Sequence, residues 1–542
     1  MNNKYQSLFG FTIGPIVEVL MHSKKSRELW CGSYFFSLYM KELNDKLNAS
    51  VDYNIITPFV GSIPKTRAGI YHDHIIGAST KNKNDTYNVI ENFNKEVFEN
   101  ITKLIADLKN PSTHGTIKNI LSDYLQTKFV VVGYPNNNPS DAQLILTIDS
   151  YLLAFESNRT FTLGESKDTC QRCNTLPSFT TEDIPFEKMN VPLCPLCYFQ
   201  LFHYKNNMLK SIIGPRNFPS TGEISTTEMN IKNPLEYFSF LEENQINREL
   251  EFEDKDFKKL ANQTSVKLKP YHKYMAIVNA DGDSLGRFAQ NYSPTNNETL
   301  SQRLFNFSLK VIEITKKYYG ELIYCGGDDM LAFMPVAING GRTTVIDYAK
   351  ELSDAYATEV DKGANETSLS VGINIIYYKH PLSFGLQEAY EQERRAKQFR
   401  NSLSLQLTQH SGQVTQVPPD DNKGKIIPLK FDSPAFNDFL EMMKNILSDT
   451  IDNGGTIHQL SFPHGMLQEL ILVKPILVNL SSPQIDHFFA NHFNEEIHRS
   501  GYGVNFIRDK IKNGYLHYGK VEVLELIIQF LRFIEFLRGE DK

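Results

Sequence analysis

The sequence predicts an α+β protein of several domains, with a ferredoxin-like sheet in its second half and a small cysteine-rich insert. Its 542 residues exceed what one hydrophobic core usually organises. One stretch alternates strands and helices in ferredoxin-like order, and four of the six cysteines form two closely spaced pairs. We therefore expect four units, at 1–165, 166–267, 268–415 and 416–542.

The composition argues against two broad classes of protein. Hydrophobic residues make up 41% and charged residues 22% of the chain, which is ordinary for a folded protein and argues against extensive disorder. The formal net charge of -7 argues against a protein that coats nucleic acid by bulk charge. Any contact with nucleic acid should therefore be local or shared with a partner.

The two most apolar stretches predict neither a signal peptide nor a membrane span. Gly14 and Pro15 interrupt the first stretch, Phe9 to Met21. In the second, Val521 to Leu537, polar residues recur at helical spacing along one side, as in an amphipathic core helix. These polar residues are Glu525, Gln529, Arg532 and Glu535. We expect a cytoplasmic protein with no membrane partner.

The N-terminal unit, 1–165, reads as an α/β domain. A strand-like start leads into helical segments at Ile16 to Met21 and Tyr34 to Leu47, and Phe129 to Tyr134 resembles a buried strand. The C-terminal unit, 416–542, is predicted to be helical, with helices at Phe436 to Leu447, at Gly465 to Val473 and at the C-terminal end.

The cysteine pairs in the second unit have the spacing of a structural metal site. The pairs are Cys170-x₂-Cys173 and Cys194-x₂-Cys197, with 20 residues (174–193) between them. Four thiolates complete a tetrahedral Zn²⁺ site and leave no position for a reacting water, so we expect a structural zinc. Asn230 to Lys267 is charged and helix-prone and should connect this insert to the next domain. The remaining cysteines, Cys31 and Cys325, should be small buried residues.

The third unit has the order β-α-β-β-α-β, provided that a further short strand follows its last helix. The predicted elements are a strand at Tyr274 to Asn279, a helix at Leu300 to Tyr319, strands at Leu322 to Cys325 and Met330 to Met334, a helix at Val345 to Val360, a strand at Leu369 to Tyr377 and a helix at Leu382 to Arg400. We expect the first strand of the hairpin to lie beside the opening strand.

Acidic residues are expected to meet at one end of this sheet. Asp281 and Asp283 end the opening strand, and Asp328 and Asp329 follow two glycines in the hairpin turn. Crowded carboxylates repel one another and commonly hold divalent cations, so Mg²⁺ or Mn²⁺ is expected. Two such cations support nucleotidyl transfer.

The glycines and backbone amides around these aspartates fit a phosphate ligand. Gly326 and Gly327 permit a tight turn and close approach of a ligand, and the segment Gly282, Asp283, Ser284 and Leu285 offers amides to phosphate. Glycine and aspartate also occur in ordinary exposed turns. The second acidic pair, one helix upstream in the right strand order, favours the functional interpretation.

Several segments resemble the Cmr-type (type III-B) large subunit of type III CRISPR complexes, a family with GGDD palm domains. They are Asn279-Ala280-Asp281-Gly282-Asp283-Ser284-Leu285-Gly286, Tyr324-Cys325-Gly326-Gly327-Asp328-Asp329 and Tyr378-Lys379-His380-Pro381-Leu382. Upstream, Gly14-Pro15-Ile16 and Arg27-Glu28-Leu29-Trp30-Cys31-Gly32-Ser33-Tyr34 resemble the family's first palm, and Phe218-Pro219-Ser220-Thr221-Gly222 also matches. The resemblance covers nearly the whole chain.

This resemblance implies two facing palms, ferredoxin-like domains as in nucleotide cyclases and polymerases, with two ATP molecules between them. Asp281, Asp328 and Asp329 of the second palm would hold Mg²⁺ while a 3′-hydroxyl attacks the α-phosphate of ATP. The product would be a cyclic oligoadenylate, or AMP joined to another acceptor such as S-adenosylmethionine. Implied partners are other Cmr-type subunits, guide RNA and target RNA.

Three further residues match family positions that touch nucleotide: Ser33, Ser301 and Lys397. Their other interpretations are helix caps for the two serines and a solvated helix residue for Lys397. Relatives with an HD-type nuclease carry it before the first palm, where this sequence leaves no room, so no intrinsic DNA cleavage is expected. We interpret His72-Asp73-His74 as an exposed or structural loop.

Two alternatives to an oligoadenylate synthase remain open at this stage. A GGDEF-like dinucleotide cyclase shares the palm and the acidic hairpin, although it does not account for a second palm or a zinc insert. A catalytically silent subunit that scaffolds guide and target RNA does not account for three aspartates at one site.

Overall fold

A computed structural model describes most of the chain. The described residues are 5–64, 66–135, 140–157, 169–184, 189–213, 218–246, 251–292, 298–419, 425–447, 464–492, 501–515 and 517–539.

The first sheet is ferredoxin-like. Its strands are β1 (Ser7–Gly14), β2 (Tyr53–Thr57), β3 (His74–Ser79) and β4 (Gln126–Gly133). They lie in the order β2-β3-β1-β4, with every neighbouring pair antiparallel. Every residue of β1 is buried, whereas β4 is an edge strand of half-buried and exposed residues. The prediction of a buried strand there was wrong because β4 has a neighbour on only one side.

Five helices belong to this first domain. They are α1 (Ile16–Met21), α2 (Ser26–Asn48), α3 (Lys83–Lys109), α4 (His114–Tyr124) and α5 (Asp141–Ser157). Among them, α2, α3 and α5 pack on the sheet. Because side chains alternate along a strand, Phe9 and Phe11 of β1 join the core formed with α2 and α3, while Leu8 joins the core formed with α5. The sheet is therefore buried on both faces.

The insert contains the elements β5 (Thr180–Ile184), β6 (Met189–Leu193), α6 (Pro195–Phe202) and α7 (Asn207–Ile213). The ligand atoms of its four cysteines all lie within 4.8 Å of one another, and all four residues are buried. This arrangement could hold one metal ion. Four further helices follow: α8 (Thr221–Ser225), α9 (Thr227–Lys232), α10 (Pro234–Glu243) and α11 (Asp254–Gln263).

The second sheet contains seven strands in the order β14-β13-β12-β7-β9-β8, with β15 paired to β13. The strands are β7 (Tyr274–Asp283), β8 (Glu321–Gly326), β9 (Asp329–Pro335), β12 (Ser368–Tyr377), β13 (Ser402–Thr408), β14 (Val414–Val417) and β15 (Leu429–Lys430). Strand β13 is the further strand that the sequence required. Because β14 and β15 lie in the same sheet, that sheet includes residues on both sides of position 415.

The predicted neighbour of the opening strand was wrong. Strand β9, the second strand of the hairpin, pairs antiparallel with β7, and β8 lies at the edge. The helix between β7 and β8 returns the chain to the same side, so β8 runs parallel to β7 and its partner β9 fits antiparallel between them. The hairpin turn still lies at the C-terminal end of β7.

The remaining elements of this unit surround the second sheet. They are α12 (Leu285–Asn291), α13 (Leu300–Lys317), the short strands β10 (Ala337–Ile338) and β11 (Thr343–Thr344), α14 (Val345–Tyr356) and α15 (Leu382–Phe399). Helix α14 passes into one π-helical turn, Ala357–Asp361, which accounts for the longer helix predicted there. Gly372 of β12 lies directly under α15, since a Cβ at this position would come within 2.1 Å of the Glu393 backbone nitrogen.

The C-terminal helices pack against the second sheet and share its core. They are α16 (Pro434–Leu447), α17 (His464–Leu477), α18 (Ser482–His492), α19 (Gly501–Asn513) and α20 (Lys520–Arg538). Gln529 of α20 is buried and Glu525 pairs with Lys474 of α17, so the predicted polar side of this helix is partly covered by its neighbours. Among the helices of the described ranges, none is both long and apolar enough to cross a membrane.

Candidate active site

Three aspartates meet at the C-terminal end of β7. Asp281 lies in β7, Asp328 in the hairpin turn and Asp329 at the start of β9. A Cβ at Gly282 would come within 2.6 Å of the Asp328 Oδ2 atom and 2.7 Å of the Tyr356 hydroxyl. A glycine is therefore required between Asp281 and Asp283 so that the Asp328 carboxylate can lie against the strand. Gly327 has a φ of +72°, which favours glycine in the turn.

Burial and mutual repulsion disfavour the ionised forms of two of these carboxylates. Burial and the nearby Asp281 raise the pKa of Asp328 to about 8. Burial, Asp281 and Asp328 raise the pKa of Asp329 well above its usual range, although the Tyr324 hydroxyl donates to both Asp329 oxygens at 3.2 and 3.1 Å. A cluster of half-buried carboxylates that repel one another in this way fits a divalent cation, which would compensate the charge.

Lys397 faces this cluster from α15. Its ammonium group contacts the Asp281 carboxylate and lies 3.4 Å from Glu393. Although burial lowers the pKa of Lys397, the Asp281 and Glu393 carboxylates together raise it more, and the net shift is upward. Lys397 is half-buried and paired with two carboxylates, so its interpretation as an ordinary solvated residue was wrong.

Asp283 has a different environment from the three clustered aspartates. Its buried carboxylate accepts hydrogen bonds from the Ser368 hydroxyl at 2.6 Å, the Ser370 hydroxyl at 2.7 Å and the Asn401 backbone N–H at 2.8 Å. These hydrogen bonds link the C-terminal end of β7 to the N-terminal end of β12 and to the residue that precedes β13. Ser284 follows in the left-handed region, with φ 59°, and precedes α12.

The two palm-like sheets are joined beside the aspartates. The backbone of Gly69, from the first domain, accepts from the Cys325 N–H at 2.9 Å and donates to the Ile323 carbonyl at 3.2 Å. This bridge covers part of the free edge of β8. Gly326 packs under His72, because a Cβ there would lie 2.6 Å from the His72 Cβ. The junction thus places the first domain directly over the acidic hairpin.

A cavity of about 470 Å³ lies at this junction and is lined by both domains. Six of the predicted residues line it: Ser33, Ser301, Gly326, Gly327, Asp328 and Asp329. Five others do not line it: Asp281, Gly282, Asp283, Ser284 and Lys397. Of these five, Asp281, Gly282 and Lys397 still lie around the carboxylate cluster, whereas Asp283 bonds within the sheet.

Neither serine is a helix cap. Ser33 lies inside α2, and Ser301 follows Thr299, the residue that caps α13. The Ser301 hydroxyl accepts a 2.6 Å hydrogen bond from the Phe59 N–H of the first domain. The capping interpretation of both serines was therefore wrong, and both lie in the wall of the shared cavity.

The segment His72-Asp73-His74 also lines the cavity and is half-buried, so of the two interpretations, an exposed or a structural loop, the structure excludes the exposed one. In its charged form His74 donates through both ring nitrogens, to the Asp149 carboxylate at 3.1 Å and to the Glu156 carboxylate at 2.9 Å. Sequence analysis missed this cluster because its members come from β3 and α5. Asp149 and Glu156 are seven residues apart and so lie on one face of a helix, which could have indicated a shared acidic site. No sequence pattern connected that face to His74.

The pKa values of two histidines determine the charge on the side of the cavity that the first domain contributes. Burial lowers the pKa of His74, but its hydrogen bonds to Asp149 and Glu156 outweigh that effect and raise the pKa to about 10. Burial lowers the pKa of His72 to about 4. Among the described residues that line the cavity there is no lysine or arginine. The wall therefore combines acidic groups with one charged histidine.

The geometry defines a class of protein: two palm-like domains that share a cavity, with a carboxylate cluster on one of them. Residues 274–404 match the sequence model for the second palm domain of Cas10/Cmr2, and residues 8–126 match that for the N-terminal region of the CRISPR-associated protein Cmr2. A Cmr subunit Cmr2 of Pyrococcus furiosus is 27% identical over 219 residues, covering 35% of this chain and 24% of that relative. The aligned part is thus under a third of the relative's length.

Solved structures share the fold along almost the whole chain. A type III-B Cmr-beta structure in the apo state matches with a TM-score of 0.59 and 13% identity, covering 99% of this chain and 82% of that one. The same assembly bound to cognate target RNA gives a TM-score of 0.58 at 13% identity, with 99% and 83% coverage. A Csm1–Csm4 cassette in complex with cA4 gives 0.50 at 12% identity, with 99% and 70% coverage. Two stretches of the chain thus resemble Cas10/Cmr2 proteins in sequence, and the fold is similar to theirs along almost the whole chain.

The hydrogen bonds of His74 predict a distinctive pH dependence. The folded chain should hold the His74 proton up to about pH 10, whereas the unfolded chain releases it near its ordinary value of 6.5. Stability from this group is therefore complete below about pH 6.5 and is lost as the pH rises to about 10, by at most about 1.4 kcal/mol per pH unit. Chemical denaturation across this range should show that His74→Gln flattens the decline.

The neighbouring His72 provides the control, because its lowered pKa leaves it neutral throughout that range. His72→Gln should keep the wild-type slope even if it lowers stability at every pH. Equal slopes for wild type and His74→Gln would show that His74 is not held in its charged form.

Proposed function

We propose that this chain is a palm-type nucleotidyltransferase, the large subunit of a Cmr-type RNA-guided complex that makes an adenylate messenger from ATP after target RNA binds. The observation that carries this proposal is the convergence of Asp281, Asp328 and Asp329 beside a cavity shared by two palm-like domains. A scaffold for RNA would need no cluster of mutually repelling carboxylates. The structurally similar proteins, solved with cognate target RNA and with cA4, support the same choice.

The side chains around the cluster suggest a division of roles. Asp281, Asp328 and Asp329 would hold Mg²⁺ or Mn²⁺, and such cations would lower the pKa of an attacking hydroxyl and neutralise a triphosphate leaving group. Lys397, which now contacts Asp281, would donate to a phosphate oxygen when ATP binds. Ser33 and Ser301 would contact nucleotide from the two sides of the cavity.

The wall contributed by the first domain favours a cationic acceptor over a second ATP. Asp73 and Asp149 line it, Glu156 lies behind His74, and among the described lining residues the charged His74 is set against these acidic groups while no lysine or arginine is present. An acceptor with its own positive charge, such as S-adenosylmethionine, would be attracted to this wall. We therefore propose AMP joined to a cationic adenosine-containing acceptor as the product, with cyclic oligoadenylate as the alternative.

The cysteine cluster would hold Zn²⁺ through Cys170, Cys173, Cys194 and Cys197. The thiol chemistry and the tight grouping of the four ligand atoms fit a closed structural site. Arg172, next to the cluster, forms a buried ion pair with Glu28 of α2 at 2.5 Å. A bound zinc would thus keep the insert attached to the first domain.

The nucleotidyltransferase proposal is tested with the reconstituted complex, guide RNA, radiolabelled ATP and Mg²⁺. We expect a labelled product that depends on target RNA and falls at least about a hundredfold in the Asp328→Asn plus Asp329→Asn variant, because removing cation ligands removes charge stabilisation of the transition state. Glu313→Gln, an exposed change on α13 of the same domain, should leave the rate unchanged. Full assembly on target RNA without turnover in wild type would favour the scaffold.

The identity of the acceptor is tested by adding S-adenosylmethionine to the same reaction. The main product should then require that acceptor, and chromatography should separate it from oligoadenylates. Asp149→Asn should raise the apparent KM for S-adenosylmethionine by roughly tenfold, about 1.4 kcal/mol, while the KM for ATP changes little. If ATP alone gives the full yield and Asp149→Asn affects neither KM, the acidic wall does not select the acceptor.

The zinc proposal is tested by metal analysis of the purified chain. Wild type should contain about one zinc per chain, and Cys173→Ser should lose it and unfold at a lower temperature, since closed zinc sites contribute directly to folding. Cys31→Ser changes a buried cysteine outside the cluster and should retain the metal. A full complement of zinc in Cys173→Ser would contradict the four-cysteine assignment.

A further inference from the structure

A second cavity, of about 210 Å³, lies away from the carboxylate cluster, where three segments that the proposed chemistry does not use come together. They are the start of α2, the segment Phe218 to Gly222 and the turn Tyr378 to Leu382. Hydrogen bonds tie the three to one another. The Ser26 hydroxyl donates to the Pro219 carbonyl at 2.5 Å, and the Thr221 hydroxyl donates to the Tyr378 carbonyl at 2.7 Å.

The lining of this cavity is strongly basic. Lys24, Lys25, Arg27 and Lys379 line it, and Glu251 is the single acidic residue among its described lining. Glu251 pairs with Lys25 at 2.7 Å. More cationic groups than anionic ones therefore face the cavity, in a protein whose net charge is negative.

Two long helices also point their N-termini at this cavity. Lys25 precedes α2 and Pro381 precedes α15, and neither supplies a side-chain cap to its helix. The shorter α8 beside them is capped by Ser220 in a capping box with Glu223. The first-turn amides of α2 and α15 add positive potential to that of the lysines.

The aromatic residues of the cavity do not offer a stacking surface. Phe218, Phe252 and Tyr378 line it but are exposed by 0%, 3% and 6% respectively. A base needs an open ring face for stacking, whereas a phosphate needs only cations and N–H donors. The lining is thus suited to a sugar-phosphate backbone without preference for sequence.

We infer that this cavity binds a backbone phosphate of single-stranded RNA. The phosphate chemistry follows from the cations and helix N-termini, and the choice of RNA as its source rests on the proposed RNA-guided function. The site lies outside the shared cavity, so it would hold the strand without taking part in nucleotidyl transfer. Free phosphate and ATP have the same chemistry and are separated from RNA by the experiment.

The test measures fluorescence anisotropy of a fluorescein-labelled single-stranded oligouridine with the full chain, without divalent cations, at a series of KCl concentrations. Lys24→Gln plus Lys379→Gln should weaken binding on the order of tenfold at about 0.1 M salt and reduce the slope of log K against log salt by about 1.4. The matched control, Lys83→Gln plus Lys103→Gln, removes two exposed lysines of α3 and the same charge. It should behave as wild type.

Further measurements separate the other outcomes. Lys24→Arg plus Lys379→Arg should restore binding, and thermal unfolding should match wild type in every variant. Equal losses in both glutamine pairs, or no loss in the first pair, would overturn the inference. So would a result in which dialysis shows that ATP binding depends on Lys24 and Lys379 while RNA binding does not. Because no turnover occurs in this assay, its failure is independent of any failure of the palm assay.

Discussion

The exposed edge of β8 is the constraint on which the candidate site depends. In a sheet ordered β12-β7-β9-β8, the hairpin's first strand has a partner on one side only, and its backbone groups need another source of hydrogen bonds. Gly69 of the first domain makes two backbone hydrogen bonds to β8 and so satisfies part of this need. The residues that follow Gly69 place His72 and Asp73 over the hairpin. One structural requirement of the second sheet thus creates the cavity in which both domains participate.

The carboxylate cluster is held in place by neighbours that play different roles. Gly282 leaves room for Asp328, Tyr324 donates to Asp329, and Lys397 contacts Asp281. Asp283, two residues from Asp281, instead closes the sheet by accepting three hydrogen bonds. Within this motif, Asp281 belongs to the candidate site, Gly282 leaves room for the Asp328 carboxylate, and Asp283 stabilises the sheet.

Sequence analysis predicted the elements that depend on local patterns. The strands and helices of the second domain, the strand after α15 and the grouping of the four cysteines follow from periodicity and spacing, and all are present. It misplaced β8 because strand order depends on contacts distant in sequence, and it missed the His74 cluster because β3 and α5 meet only after folding. The ion pair of Lys397 could likewise not be predicted from the sequence of its own helix, because its partner Asp281 lies in β7.

The junction at Gly69 is made by backbone atoms, which has a consequence for how such proteins diversify. Backbone hydrogen bonds survive most replacements of the surrounding side chains. The distance between the two domains can therefore stay constant while the side chains that line the cavity change in evolution. The acidic cluster belongs to one domain and the His74 wall to the other. Under the proposed function, selection could therefore change the acceptor bound at the first domain while the phosphate chemistry of the second stays as it is, and a new messenger could arise without a new catalytic domain.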